Sequence, residues 1–321
     1  MAGPCNQQRR PQLWHEWVDS ARPDRHEQAM TVIVLGNALI DTTFRVQRLP
    51  RTGETVLAAA KAVDLGGKGL NQAVAAAMAG APTRLFTALG EDDAGRLVSQ
   101  RLEAIKGLEV RAWQRTFPTD ESVIVVAGDG QNTIVSTHQC ARSITDDDVD
   151  EALSGAAPDD VWVMQGNLDL SVTVRALQEA RGKGLRTVWN PAPVPNGLAE
   201  AKNAADIMVV NEVEAAALLG GDPAAMDPRR IPADALSGVL VVTLGAEGAL
   251  IVAEGKRTHM RAPAVTAVDT TGAGDAFVGT MAAMLASGAS LVAATQRAVT
   301  AASDVVTRQG AFGAITTMAI S

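Results

Sequence analysis

From about residue 146 onward the chain alternates helical stretches with short apolar runs, a rhythm that few folds other than a layered α/β domain accommodate. Residues 146–154 read as a helix ahead of Val161-Trp162-Val163-Met164, and 171–181 as a helix ahead of Arg186-Thr187-Val188-Trp189. Asn190-Pro191-Ala192-Pro193 closes that strand. Residues 197–204 read as a helix leading to Ile207-Met208-Val209-Val210, and Asn211-Glu212-Val213-Glu214 opens another helix. Strands at 239–244 and 249–252 flank Thr243-Leu244-Gly245-Ala246-Glu247-Gly248. Short runs rich in β-branched residues, apolar at successive positions, are those of strands covered on both faces. Their repetition with helices predicts a doubly wound, mainly parallel sheet.

The first half follows the same rhythm with two interruptions. Val32-Ile33-Val34-Leu35-Gly36 reads as a buried parallel strand. Asn37 to Asp41 continue from its C-terminal end, where ligands gather in open α/β sheets. Asp41 is thus a candidate ligand residue, or simply a turn former. Gly66-Gly67-Lys68-Gly69-Leu70-Asn71 feeds a helix at 72–79. Its backbone is free of bulk, so a polyol could approach it closely, with Lys68 and Asn71 supplying hydrogen bonds; a plain helix start is the alternative. Strand 83–89 and helix 94–105 follow. Short strands within 43–64 and 121–137, the latter a hairpin turning at Asp129-Gly130, break the pattern. They predict a small sheet outside the main one, a lid whose apolar faces need a substrate or another subunit to cover.

Composition narrows the chemistry. With 28 basic and 36 acidic residues among 321, the chain lacks the basic excess of a general nucleic-acid binder. Two cysteines and four histidines without metal-ligand spacing argue against a disulfide framework or catalytic zinc, and fit a reducing cytoplasm. No apolar run suggests a membrane span. Residues 1–29 are polar and charged and read as an extension that need not be ordered, with the folded domain over 30–321.

One stretch carries the chemistry. In Asp269-Thr270-Thr271-Gly272-Ala273-Gly274-Asp275 three small residues open a helix, so free N–H groups and the positive end of the helix dipole meet there. Asp275, in the first turn, could take a proton from an attacking hydroxyl while the backbone of Gly272, Ala273 and Gly274 stabilises phosphoryl charge. An ordinary loop and helix cap is the other reading. Asn211 and Glu214, three apart at a helix start, could hold Mg²⁺ through its water, or could cap the helix. Residues 243–248 could lie along a nucleotide or form a tight hairpin.

In this order the motifs resemble the ribokinase-like, or PfkB, family of carbohydrate kinases, from about Val32 to about Thr316. The N-terminal signature is Gly66-Gly67-Lys68-Gly69-Leu70-Asn71-Gln72-Ala73, with Gly80 and Gly90 at later glycine positions. The C-terminal signature is residues 269–275, and the stretches at 190–193, 211–214 and 243–248 also match. The resemblance implies phosphoryl transfer from ATP to a hydroxyl of a sugar-like substrate, with a nucleoside kinase, or a non-catalytic sugar-binding regulator built on the same fold, as the alternatives. It implies Asp275 as base and Gly272, Ala273 and Gly274 as anion hole, with Asp41, Gly67, Lys68, Asn71 and Asn167 at sugar-binding positions. Asn211, Thr243, Gly245 and Gly248 would serve the nucleotide, and Asn211 with Glu214 the Mg²⁺. Asp269 and Thr271, with backbone of Val305, Arg308 and Gly310, match a monovalent-cation loop, usually for K⁺. Relatives suggest a homodimer through the lid. Three positions depart from ribokinases: Leu39 stands where they have Asn, Asn167 where they have Glu, and Ala314 where the cation loop has Ser.

Overall fold

The computed structural model describes residues 30–129, 131–222, 227–232 and 234–319. The predicted extension at 1–29 and Gly130 of the hairpin turn lie outside them.

Nine strands form the main sheet. In chain order they are β1 (Val32–Leu35), β4 (Thr83–Gly90), β5 (Leu108–Arg115), β8 (Val161–Met164), β9 (Arg186–Trp189), β10 (Ile207–Asn211), β11 (Val239–Thr243), β12 (Ala249–Ala253) and β13 (Lys256–Met260). Their order across the sheet is β13-β12-β11-β10-β9-β8-β1-β4-β5. Pairing is parallel from β5 to β11 and antiparallel between β11 and β12 and between β12 and β13, so β12 alone runs against the other strands.

The apolar runs are continuous because both faces are covered. Val32, Val34, Val161 and Val163 point into one core with Leu70, Val74, Phe277 and Met281 of the helices Lys68–Met78 and Ala273–Ala286. Ile33, Leu35, Trp162 and Met164 alternate into a second core with Val149, Leu153 and Leu177 of the helices Asp146–Ser154 and Leu170–Gly182. Side chains of period two, with helices above and below, leave no wet face for a polar residue.

The smaller sheet, ordered β3-β2-β6-β7, consists of β2 (Leu39–Val46), β3 (Ala60–Gly66), β6 (Glu121–Ala127) and β7 (Asn132–Ser136). β2 pairs antiparallel with β3 but parallel with β6. The first pair extends beyond the expected 43–64 at both ends, while β6 and β7 lie within the expected 121–137. The extension moves Asp41 off the end of β1 and into the interior of the lid strand β2. Residues 55–57 lie in the loop between β2 and β3, just past an Arg48–Glu54 ion pair, with Leu57 exposed.

Other differences have local causes. Gly67, at φ 98°, is the N-cap of Lys68–Met78, so that helix starts four residues earlier than expected and takes in Lys68 and Asn71. The expected helix 197–204 is reduced to Leu198–Ala201. The strands β5 and β13 escape a search for apolar runs because they are edges: their exposed positions carry charge, which discourages pairing with another chain. Among the described residues no helix is long and apolar enough to cross a membrane.

Candidate active site

Chain connections diverge at β1. The chain proceeds from it to β4 on one side, and β8 lies on the other, so a crevice opens outside the carboxyl ends of β1 and β8. A Cβ on Gly36, just past β1, would fall 2.0 Å from Gln165 Oε1 and 2.8 Å from the Gly69 Cα. Only glycine admits the Gly66–Gly69 loop there. Asn37 ties that loop down, its carbonyl accepting from Leu70 N (2.9 Å) and its Oδ1 from Gly69 N (3.2 Å).

The Ala273–Ala286 helix crosses Lys68–Met78 at very short range. A Cβ on Gly279 would lie 2.3 Å from the Gln72 carbonyl oxygen and 2.6 Å from the Ala75 Cβ. Asp275, one turn before Gly279 on the same face, is thereby pressed among side chains of the other helix's first turn. Lys68 Nζ lies 3.6 Å from Asp275 Oδ1, Gln72 Nε2 donates to Oδ1 (3.0 Å) and Asn71 Nδ2 approaches Oδ2 (3.4 Å). Asp275 is buried, while Gly274 beside it is exposed. Gly272 caps the helix at φ 82°, and a Cβ on Gly274 would meet nothing within 4 Å. Among the described residues the N–H groups of Gly274 and Asp275 have no backbone acceptor. A buried acid thus stands beside bare donors that face open space.

Asp41 reaches the crevice from the lid. A Cβ on Gly66 would touch its carboxylate, 2.2 Å from Oδ2. Burial raises its pKa to about 6; a Ser122 hydrogen bond opposes this, and the charges of Asp64 and Asp275 add to it. Between about pH 4 and about pH 6 the folded chain therefore keeps a proton that the unfolded chain has lost, and stability falls as pH rises through that window. Asp41→Asn is expected to stabilise the protein by on the order of 2 kcal/mol at about pH 7.5 and by much less at about pH 4. Denaturant midpoints that shift equally at both pH values would show that the carboxylate carries no such strain.

The Oδ1 atoms of Asn71 and Asn167 are buried without a protein partner, as acceptors awaiting a donor would be. Asn167 lies in the turn after β8, held by the Gly166 N–H on the Ala192 carbonyl (3.0 Å).

At the ends of β10 and β11 Asn211 is in register with Thr243. Asn211 and Glu214 form a reciprocal capping box, with Glu214 N donating to Asn211 Oδ1 (2.8 Å) and Asn211 N to Glu214 Oε2 (2.8 Å). Burial raises the pKa of Glu214; the Asn211 N–H and Lys68 oppose the shift, and Asp275 adds to it. Residues 244–248 do make a tight hairpin between β11 and β12, and Gly248 is required because a Cβ would lie 2.0 Å from the Met260 carbonyl oxygen.

The segments carrying Asp269 and Gly310 meet beside the lid. Asp269 Oδ1 accepts from Thr271 N (2.9 Å) and Oγ1 (2.7 Å), and Oδ2 accepts from Gly310 N (3.0 Å). Burial alone would raise the Asp269 pKa, but these donors outweigh it and hold the carboxyl below its ordinary value. The Val305 carbonyl accepts from Arg308 N (3.0 Å), while the Arg308 guanidinium is engaged by Asp304. Lid and loop enclose a cleft of about 720 Å³ whose lining includes Asp41, Asp64, Asp269, Thr271 and Gly310.

The sequence profile of the pfkB family carbohydrate kinases matches residues 30–318. The chain belongs to the PfkB family of carbohydrate kinases. This kinase is 34% identical over 278 residues to mouse ribokinase, covering 84% of this chain and 85% of that one. It is 30% identical over 288 residues to the deoxyribokinase of Salmonella typhi, covering 88% and 94%. The structure of Arabidopsis thaliana ribokinase complexed with ribose and ATP superposes with a TM-score of 0.75 at 28% identity, over 89% and 96% of the two chains. The PfkB kinase therefore has the ribokinase-like fold and is a carbohydrate kinase that uses ATP.

Sequence reasoning passed over Asn37, Gln72 and Gln165. Gln72 had a signal: an amide next to Asn71, directly ahead of the apolar run Ala73-Val74-Ala75-Ala76-Ala77.

Proposed function

We propose that this kinase transfers the γ-phosphoryl group of Mg-ATP to a hydroxyl of a pentose, with residues 30–321 as the catalytic domain and Asp275 as general base. The observation that carries this reading is the buried Asp275 carboxylate beside the open face of Gly274 at a helix N-terminus. The hydroxyl's proton passes to Asp275 as its oxygen attacks the γ-phosphorus, and the bond from that phosphorus to the β–γ bridging oxygen breaks to release ADP. The Gly272–Gly274 backbone and Lys68 take up charge on the phosphoryl oxygens, which in this chemistry is most of what a protein contributes.

Asn211 and Glu214 would hold Mg²⁺ through its waters, and the ion supplies neutralisation of phosphate charge. Their oxygens retain free lone pairs after the capping box forms, so they fit that task. Thr243, Gly245 and Gly248 line the nucleotide end. Asp269, Thr271 and the carbonyls of Val305, Arg308 and Gly310 suit a monovalent cation, K⁺ in our reading. An ionised carboxylate already organised by Thr271 and Gly310 fits it, although Ala314 offers no hydroxyl. Asp41, Gly67, Lys68, Asn71 and Asn167 would bind the sugar. We place the enzyme in the cytoplasm.

The opposite face of the lid carries Val63, Val123 and Val135 in one register line through Thr42, all exposed. We assign it to a second copy of the chain; a solution mass equal to one chain would remove the dimer.

One position favours a particular class of pentose. Leu39 shares the face of β2 with Asp41 and is buried. A hydroxyl packed against it would find no partner there, whereas a deoxy carbon would lose nothing. An apolar contact discriminates weakly against an added hydroxyl. Both ribose and 2-deoxyribose are expected to be phosphorylated, with kcat/KM about tenfold higher for the deoxy sugar. Leu39→Asn should move that ratio toward ribose. A panel of pentoses, hexoses and nucleosides, read by ADP release, tests the assignment. Turnover confined to nucleosides or hexoses would sink the pentose reading.

A further inference from the structure

Behind Asp275 lies a chain of three buried amides that the proposed chemistry does not use. Gln72 and Gln165 are fully buried and Asn190 nearly so. Asn190 Nδ2 donates to the Val209 carbonyl (3.0 Å), which turns its Oδ1 toward Gln72. Gln72 Nε2 donates to that oxygen (3.1 Å) and to Asp275 Oδ1 (3.0 Å). Gln72 Oε1 accepts from Gln165 Nε2 (2.9 Å).

Both ends of the Gln72 amide are therefore committed. A flip would set its oxygen against the Asp275 carboxylate and its NH₂ against the NH₂ of Gln165. Buried amides cost stability unless every group is bonded, and here Gln165 Oε1 has no partner. An apolar trio would fill the same core without that penalty. What the amides provide and an apolar trio could not is an oriented donor on the carboxylate.

We propose that Gln72, oriented by Gln165 and Asn190, is a positioning residue for Asp275: it ties Oδ1, so that Oδ2 is the oxygen presented to the acceptor hydroxyl. The only hydrogen bond to Oδ2 among the described residues is that of Asn71 Nδ2 at 3.4 Å, long enough for a substrate hydroxyl to displace. The proposal rests on the reading of Asp275 as base. The charged groups that bear on the same carboxylate are Lys68, Asp41 and Glu214.

The experiment compares wild type, Gln72→Met, Gln165→Met, Asp275→Asn and the double variant Gln72→Met/Asp275→Asn, assayed with Mg-ATP and either ribose or 2-deoxyribose across pH. Gln72→Met should lower kcat by about 10- to 100-fold with sugar KM within about threefold. The acid limb of its kcat–pH profile should move upward, because the carboxylate has lost a donor that favours its charged form. Gln165→Met, which does not touch Asp275, should act in the same direction but less. The double variant should be no slower than Asp275→Asn alone, since a residue acting through Asp275 has nothing left to position. A folded Gln72→Met with unchanged kcat and acid limb overturns the proposal, as does a double variant in which the two losses multiply. If circular dichroism shows Gln72→Met unfolded, Gln165→Met decides by the same kcat and pH criteria. Failure of the base reading shows separately, as Asp275→Asn retaining activity.

Discussion

Asp275→Asn is expected to lower kcat by about a thousandfold while leaving the sugar KM within a few-fold. The substitution keeps shape and keeps an oxygen that can accept from Gln72, losing only the long Asn71 contact on the other oxygen, so the crossing of the two helices should survive. What it removes is a carboxylate able to receive the hydroxyl's proton as the bond to phosphorus forms. The remaining rate reflects positioning and the charge stabilisation given by the helix start and Lys68, neither of which depends on that proton. Steady-state kinetics on the best sugar of the panel is the measurement. Activity within tenfold of wild type would mean that another group, or water, serves as base.

The second large effect separates two glycines only two residues apart. Gly274 is in a conformation open to other residues, and a Cβ there meets open space. Gly274→Val should therefore fold, with helix propensity slightly improved because valine ranks above glycine. Its isopropyl group would occupy the space before the bare N–H groups, and we expect kcat/KM to fall at least about 100-fold. Gly272 is the reverse case. Its φ of 82° is strained for any side chain, and a Cβ would stand 2.8 Å from the Ala311 Cβ. Gly272→Ala should cost stability on the order of 2 kcal/mol, with the loss of activity following from displacement of the turn. Thermal melts paired with kinetics read both. A Gly274→Val enzyme of normal activity would remove the anion hole from the mechanism.

Much of this could be read locally. The buried strands announce themselves because a parallel sheet covered on both faces favours apolar residues at successive positions, as in Val161–Met164; Arg186–Trp189 is the exception, with Arg186 and Thr187 buried in the same setting. The helix start at Gly272, Ala273 and Gly274 is likewise a short-range matter, since small residues are needed wherever backbone must meet a ligand. Edge strands were less legible. The charged positions of β13 suit solvent, and nothing in such a segment names its partner.

The placement of Asp41 was the plainest difference. Its neighbours suggested the end of β1, but pairing with Asp64 and Ser122, distant in sequence, makes it a lid residue. Hydrogen-bond register between strands far apart along the chain decides on which side of the crevice a carboxylate stands, and no window of sequence contains it.

The same holds for the amides around Asp275. Residue types and spacing were enough for a layered α/β domain with an acid at a helix start, because those features obey rules acting over a few residues; that it is a kinase was implied by the resemblance of its ordered motifs to a family. That Gln72 meets Asp275, with Gln165 and Asn190 behind it, follows from how closely two helices approach at Gly279. Close packing between segments about two hundred residues apart sets those distances, and only the folded chain brings the groups together.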